Sequence, residues 1–536
     1  MAQGKETPGA SRRGSKTERI SAVSTGAINT FSASTVTSYA GLMSNAVAEY
    51  YANDKNRIYA TQRPALQIES VASTTVGDTK GRGIHYWSSN DTLYFMNDDV
   101  IYKGTYTAPC SVQGGDTAIS SGSSQVHFLE WSSANADYLF IFDAENDGIY
   151  VISSLADTTV INLADRSGSG TLEGFAVGDS WDFDALNTII SSDGLCEGAV
   201  DLDTYCFIGT VNSARIYNSN VDDWLNWNAL NFTTCERSND KLLFIEKTKE
   251  HIAAFGERSI ELYYDNQNAT GSPLSNRTDI AHQIGVAFQQ AAWTNGDDIH
   301  FLGVKPGGEY VLSTLKDFQV VPHENPTLSA YMWQSRYTED LTINMSGFSV
   351  GGHIYVVMTM LNGQTPVKSV VYDAAYDFWY EWSTTLGTNT MFTLMGYAQR
   401  DYLDNSRPAG ILRTGDIFYI DSNYIPIDSI DEVGSEATEN ITMQVITDNF
   451  DANSTNDKFM SECKYVGNQP TVSTTLTVAW TDDDGVTSAS QTIDLTERDQ
   501  VNRMGKFTKR KFTLTLAAAE QIRMEGIDVT FTQGSS

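Results

Sequence analysis

Asp143-Ala-Glu145-Asn-Asp147-Gly148 sets carboxylates at alternate positions with a glycine at the sixth, the pattern that opens a calcium-binding loop. Oxygens at that spacing can wrap a hard cation, but the twelfth position, where a bidentate carboxylate belongs, is Ser154. The stretch therefore reads as an acidic hairpin turn between apolar runs at 139–142 and 149–152. Four of the seven histidines begin similar stretches: Ile84-His85-Tyr86-Trp87, Val126-His127-Phe128-Leu129, Ile299-His300-Phe301-Leu302 and His353-Ile354-Tyr355-Val356. Each opens a β-rich run that closes on an Asp, Asn or Gly turn, so the four are expected at one repeated structural position, as packing and hydrogen-bonding groups rather than catalysts. The five cysteines, Cys110, Cys196, Cys206, Cys235 and Cys463, are widely spaced with no C-x-x-C pair, which points to reduced thiols and no zinc site. No G-x-S-x-G, H-E-x-x-H or G-x-x-x-x-G-K-[ST] occurs. No catalytic, cofactor or metal site is expected.

Two further groups could bind partners. Thr481-Asp-Asp483-Asp-Gly485-Val-Thr487 resembles an Asp-box turn but lacks the aromatic residue that should follow and has no second copy, so it reads as a turn. The aromatic groups Trp224-Leu-Asn-Trp227 and Phe378-Trp379-Tyr380-Glu-Trp382 could stack on sugar faces, but core filling between blades is the favoured account of them. More distinctive is the basic cluster Arg503, Lys506, Lys509, Arg510 and Lys511. It is either a solvated strand face or a surface that docks on acidic protein or on DNA phosphates.

The cluster stands against a formal charge of −32. Residues 1–20 carry five basic side chains, Arg12 and Arg13 among them, against two acidic ones, and residues 501–536 carry six against three. Both ends are thus at +3, which leaves −38 for the residues between them. A body of that charge repels free nucleic acid and anionic membranes.

The elements that must position these residues are strands. Residues 1–38 are rich in Ser, Thr, Ala and Gly, too poor in large apolar groups to fold alone, and are expected to form a flexible basic arm that orders on a partner. From residue 39 short aromatic or β-branched runs alternate with turn residues such as Asn97-Asp98-Asp99, Asp147-Gly148, Asn295-Gly296, Gly307-Gly308 and Asn362-Gly363. Units at 84–102, 126–153, 204–218, 242–264, 299–321, 353–382 and 391–421 recur at the spacing of propeller blades, roughly 40–55 residues. The chain is therefore expected to be all-β: a β-propeller of six or seven blades over 39–435, with a long insertion near 155–200 and an acidic linker at 430–440. Period-two alternation at 475–480, 491–495 and 511–516 predicts a small β-sandwich over 436–536. No run of ~18 apolar residues and no apolar leader core occurs, so a soluble, cytoplasmically made protein without stable membrane insertion is expected.

Three segments together resemble the packaged-DNA stabilisation (tail nozzle) proteins of short-tailed bacteriophages. The first is Ile252-Ala-Ala-Phe-Gly256-Glu-Arg-Ser-Ile260-Glu261-Leu-Tyr263, followed by a small-residue loop at 269–273 and Ile284-Gly285-Val-Ala287. The second is Ser369-Val-Val-Tyr372-Asp373 running on to Trp379 and Trp382, and the third is Trp480 to Gly485 followed by Arg503-Met-Gly505 and Lys509-Arg510-Lys511-Phe512. Asn45 to Glu49 and Arg63-Pro64 sit where that family's opening segment would be. The resemblance implies a non-enzymatic virion tail subunit without cofactors, a homo-hexamer below the portal. Its partners would be an adaptor or head-tail connector protein at one end and tail fibre, tailspike or plug proteins at the other. Duplex DNA would pass through an acidic lumen without specific binding. Arg12, Arg13, Arg503, Lys506, Lys509, Arg510 and Lys511 would then serve as an assembly interface. The alternatives are a glycan-binding or glycan-active propeller and a generic propeller scaffold.

Overall fold

The computed structural model describes residues 15–23, 42–70, 80–105, 107–165, 169–170, 180–268, 270–335, 340–384, 391–398, 408–420, 427–432, 435–483 and 487–534. They are nearly all β, with two α-helices, Asp184–Asp193 and Pro326–Ser335, among the described residues. None of the described helices is long and apolar enough to cross a membrane.

Between residues 66 and 420 the strands form seven successive, mainly antiparallel groups, the third and fourth joined into one sheet by a parallel pairing at Glu197 and Phe244. The first runs from Gly81–Trp87 to Val100–Lys103, the second from His127–Ser132 to Thr159–Asn162, and the third from Leu195–Leu202 to Asp223–Thr234. The fourth runs from Leu242–Thr248 to Leu274–Asn276, the fifth from Gly285–Val286 to Gln319–His323, and the sixth from Leu341–Val350 to Phe378–Tyr380. The seventh joins Leu394–Ala398, Ala409–Leu412 and Ile417–Ile420 to the much earlier strand Leu66–Ser70.

Neighbouring groups touch through their leading strands except at the fifth, where Asp298–Val304 meets Leu242–Thr248 and Ala292–Asn295 meets Leu341–Val350, and Leu394–Ala398 of the seventh lies against Gly81–Trp87 of the first. There the backbones pass so closely that a Cβ on Gly81 would stand 2.1 Å from the Leu412 carbonyl oxygen, and Gly81 N–H donates to Arg413 O at 3.0 Å. Face-to-face packing explains the sequence texture. Tyr138 to Phe142 and Ile149 to Ile152 are continuous apolar runs because both of their faces are buried. This is a β-propeller arrangement, as expected.

The C-terminal strands alternate instead, burying one face each, as Thr475–Asp482 does. Two sheets pack face to face: Met43–Ser44, Thr442–Ile446, Arg510–Ala517, Thr475–Asp482 and Thr487–Asp494 against a sheet built on Lys458–Gly467, Gln500–Phe507 and Met524–Gln533. Val445, Val478, Trp480, Leu514, Met460, Val501, Ile527 and Phe531 fill the space between, and this core runs on into the sixth and seventh groups through Tyr355, Trp382, Phe392 and Phe418.

Several expected boundaries shift. Ala46–Tyr51 and Asp54–Gln62 are strands of the sandwich, not of the propeller. The linker at 430–440 is a hairpin, Ile427–Glu432 with Ser435–Asn440, paired in parallel to Leu66–Ser70. Within 155–200, Thr159–Asn162 completes the second group, Asp184–Asp193 is a helix and Leu195–Leu202 begins the third, so less of the stretch is inserted than expected. Part of the arm is also placed: Lys16–Ser21 pairs antiparallel with Met524–Gln533, with Arg19 bridging Asp528 and Glu525. At those residues the ordering partner is the chain's own C-terminal sheet.

Candidate functional site

The basic cluster divides on inspection. Arg510 is a correction: it is 1% exposed, its Nε and Nη2 hold the two Asp482 oxygens at 2.6 and 2.7 Å, and its guanidinium lies over the rings of Phe507 and Trp480. It is an internal ion pair of the sandwich and cannot meet a partner. Arg503, Lys506 and Lys509 are exposed, Lys511 is half-buried, and Lys506 pairs with Asp457 at 2.7 Å. Arg503 and Lys506 lie on Gln500–Phe507, an edge strand of its sheet among the described residues, where cations also guard against stray strand pairing. Arg12 and Arg13 lie outside the described residues.

The four histidines occupy two positions, not one. His85 and His127 are on the leading strands of their groups, whereas His300 and His353 are on strands that follow one. Burial pushes His127 and His300 down to about 4, so both are neutral packing groups. His353 differs. Its Nδ1 lies 2.6 Å from Asp373 and its Nε2 2.9 Å from Glu49, and although burial opposes charging, these two hydrogen bonds raise it to about 9. The carboxylates converge on a buried ring at the boundary of propeller and sandwich, not on an open pocket.

Nearby, Arg63 is fully buried, and its Nη1 and Nη2 hold Asp428 at 2.9 and 2.5 Å. Asn45 Nδ2 donates to Ser383 Oγ at 2.8 Å. The segments 45–49 and 63–64 therefore pin the two bodies together.

The acidic turn at 143–148 spends its carboxylates internally. Asp143 accepts from the fully buried Arg82 at 2.5 Å, Glu145 accepts the N–H groups of Ser123 and Ser124 at 2.6 and 2.8 Å, and Asp147 accepts that of Leu195 at 2.7 Å. Burial raises Glu145, but those backbone donors outweigh it and its pKa is lowered. No group of three His, Cys, Asp or Glu suited to a metal occurs among the described residues. Trp224, Trp227, Phe378, Trp379, Tyr380 and Trp382 are all buried, which makes them core and not a sugar platform.

Beside that turn lies a half-open cavity of about 390 Å³, lined by polar and apolar surface alike, that sequence reasoning missed. Glu145, Glu197, Gln290, Asn344, Gln364 and Arg413 contribute to its wall, brought from five of the seven groups and the segments between them. Arg413 donates to Ser123 O at 2.9 Å and to Gln364 Oε1 at 2.7 Å, and burial lowers its pKa. Glu197 is pushed up to about 8 by burial, against a weak opposing hydrogen bond from Gln290 Nε2 at 3.4 Å. The available signal was a lone acid in the apolar run Leu195-Cys-Glu-Gly-Ala-Val200, and paired glutamines inside the apolar stretch 284–293.

Residues 194–324 match the Phage_stabilise family model, described as "Bacteriophage P22 Gp10, beta-propeller". The span covers the third, fourth and fifth groups and contains the whole segment Ile252 to Ala287. It supports a structural role in a bacteriophage particle. No curated protein matches the sequence. Among solved structures, the N-terminal domain of Nup159 aligns at 7% identity over 71% of this chain and 98% of its own, with a TM-score of 0.35. A puromycin-hydrolysing peptidase of Mycobacterium tuberculosis aligns at 8% over 72% and 62%, TM-score 0.35, and a glycoside hydrolase at 9% over 91% and 97%, TM-score 0.23.

Proposed function

We propose that the chain is a subunit of a bacteriophage tail nozzle, a hexameric, non-enzymatic conduit that holds packaged DNA and passes it on ejection. The observation that carries the reading is the family match over three consecutive sheet groups, which includes the segment 252–287 singled out in the sequence. Taking each group as one blade gives a seven-bladed ring joined by Leu66–Ser70, with the sandwich set against its last two blades. Adaptor and tail-tip proteins would bind at opposite ends of the hexamer, and Arg503, Lys506 and Lys509 are its exposed cationic contribution to assembly.

Charge supplies a mechanism for transit. Acidic side chains lining a lumen little wider than duplex DNA would lie within a Debye length of its phosphates, ~8–10 Å, and repulsion from every side would keep the duplex centred and free of adhesion. Electron microscopy of the purified full chain tests this directly. A sixfold ring with a central hole and an acidic lumen is expected. A monomer at micromolar concentration would overturn the nozzle, and a lumen lined mainly by Lys and Arg would overturn the repulsion mechanism alone.

A further inference from the structure

We propose that the cavity between the propeller groups binds a primary alkylammonium group, carried by a small aliphatic amine or by a lysine side chain. The volume of about 390 Å³ falls in the range of small-molecule sites, roughly 300–1,000 Å³. What selects the ligand is the balance of donors and acceptors left over. Arg82 is committed to Asp143 and to Ser124 O, and Arg413 donates to Ser123 O and to both oxygens of Gln364. Acceptors remain. Gln290 is 8% exposed, and its Oε1 is buried and receives no hydrogen bond from the described residues. Glu197, also 8% exposed, has no cation within ion-pair distance among the described residues, only the 3.4 Å contact from Gln290.

Two adjacent buried acceptors, one of them a carboxyl, call for a ligand that is rich in N–H and positively charged. An ammonium brings three donors and no acceptor. Of the other charged groups on the wall, Arg413 and Glu145 are spent on Ser123, Ser124 and Gln364, and Asp340 adds a carboxylate, while Phe288, Ile343 and Leu361 offer apolar surface to an aliphatic stem. The inference does not depend on the nozzle reading.

The site has a proton signature. With its carboxyl raised to about 8, Glu197 is mostly protonated at pH 7 and must ionise to pair with the incoming cation, so binding releases a proton. Calorimetric titration of the full chain with putrescine, in phosphate and in HEPES at equal ionic strength, is the experiment. We expect one saturable site per chain that survives about 150 mM NaCl. The apparent enthalpies should differ by close to the difference between the two buffers' ionisation enthalpies, the signature of about one proton released to the buffer, and affinity should rise nearly tenfold from pH 6 to pH 7. Glu197→Gln should weaken binding at least tenfold and abolish the buffer dependence, and Gln290→Leu should weaken it as well. Non-saturable uptake, or undiminished binding by a folded Glu197→Gln protein, would overturn the proposal. Should that variant not fold, Gln290→Leu decides, since undiminished binding by that protein would overturn the proposal equally. Nα-acetyl-lysine amide as a second probe separates the sources: tighter binding than putrescine assigns the site to a partner's lysine, weaker binding to a free amine.

Discussion

Glu49 reaches from the sandwich to His353 of the propeller, Oε1 to Nε2 at 2.9 Å, while Asp373 takes the other ring nitrogen from within the same sheet group. A single imidazole thus joins the two bodies, and only its doubly protonated form donates to both carboxylates. The joint is consequently titratable. His353 is raised to about 9 when folded, above the ~6.5 of an unfolded histidine, so its contribution is complete below about 6.5, declines above that and is lost as pH passes 9.

Thermal stability should therefore fall between pH 6.5 and 9.5 by an amount on the order of 3 kcal/mol at this site. Scanning calorimetry of wild type and Glu49→Gln at both pH values checks it. The variant should show a visibly flatter dependence, and equal slopes would remove His353 from the account.

Replacing Arg510 by Ala leaves Asp482 buried without its partner and should cost ~3–5 kcal/mol in denaturant unfolding. Lys509→Ala, which removes an exposed side chain, should stay within about 0.5 kcal/mol. Comparable losses in the two variants would contradict the division of the basic cluster.

Gly526 leaves no room for a side chain, since a Cβ there would stand 2.1 Å from the Ile20 carbonyl oxygen. Gly526→Ala should displace the strand Lys16–Ser21 while leaving the sandwich core intact. Hydrogen exchange reports this as lost protection at residues 16–21 with protection retained at 475–482.

Under the proposed nozzle function, neutralising Arg503, Lys506 and Lys509 together should reduce attachment to the phage head without unfolding the chain, and added salt should weaken the wild type in the same way. Complementation of particle assembly measures it. Unchanged assembly at moderate salt would leave Arg503 and Lys506 the role of guarding a sheet edge and Lys509 none in assembly.

Where one strand's own pattern decides its place, the sequence was legible. The alternation at 475–480, 491–495 and 511–516 matches Thr475–Asp482, Thr487–Asp494 and Arg510–Ala517, and Asp98, Asp147, Gly296, Gly308 and Gly363 take the positive φ their turns demand. Pairings between residues hundreds of positions apart carry no such local mark. Nothing within 43–62 says that it belongs with residue 524, and the basic residues near 510 look alike until burial separates Arg510 from Lys509. The cavity was hidden for the same reason, because Glu197, Gln290 and Arg413 meet only through the arrangement of the groups.

Leu66–Ser70 finds its antiparallel neighbour at Ile417–Ile420, and Lys16–Ser21 finds its own only at Gly526 to Phe531. At ~5–20 residues per second, a ribosome that has finished residue 70 needs roughly 20–70 s more to deliver residue 420. Throughout that interval Leu66–Ser70 waits with that edge unpaired and without the other strands of the seventh group. Slower translation at constant temperature therefore lengthens the exposure of an unpaired strand edge in the nascent chain without altering the finished molecule.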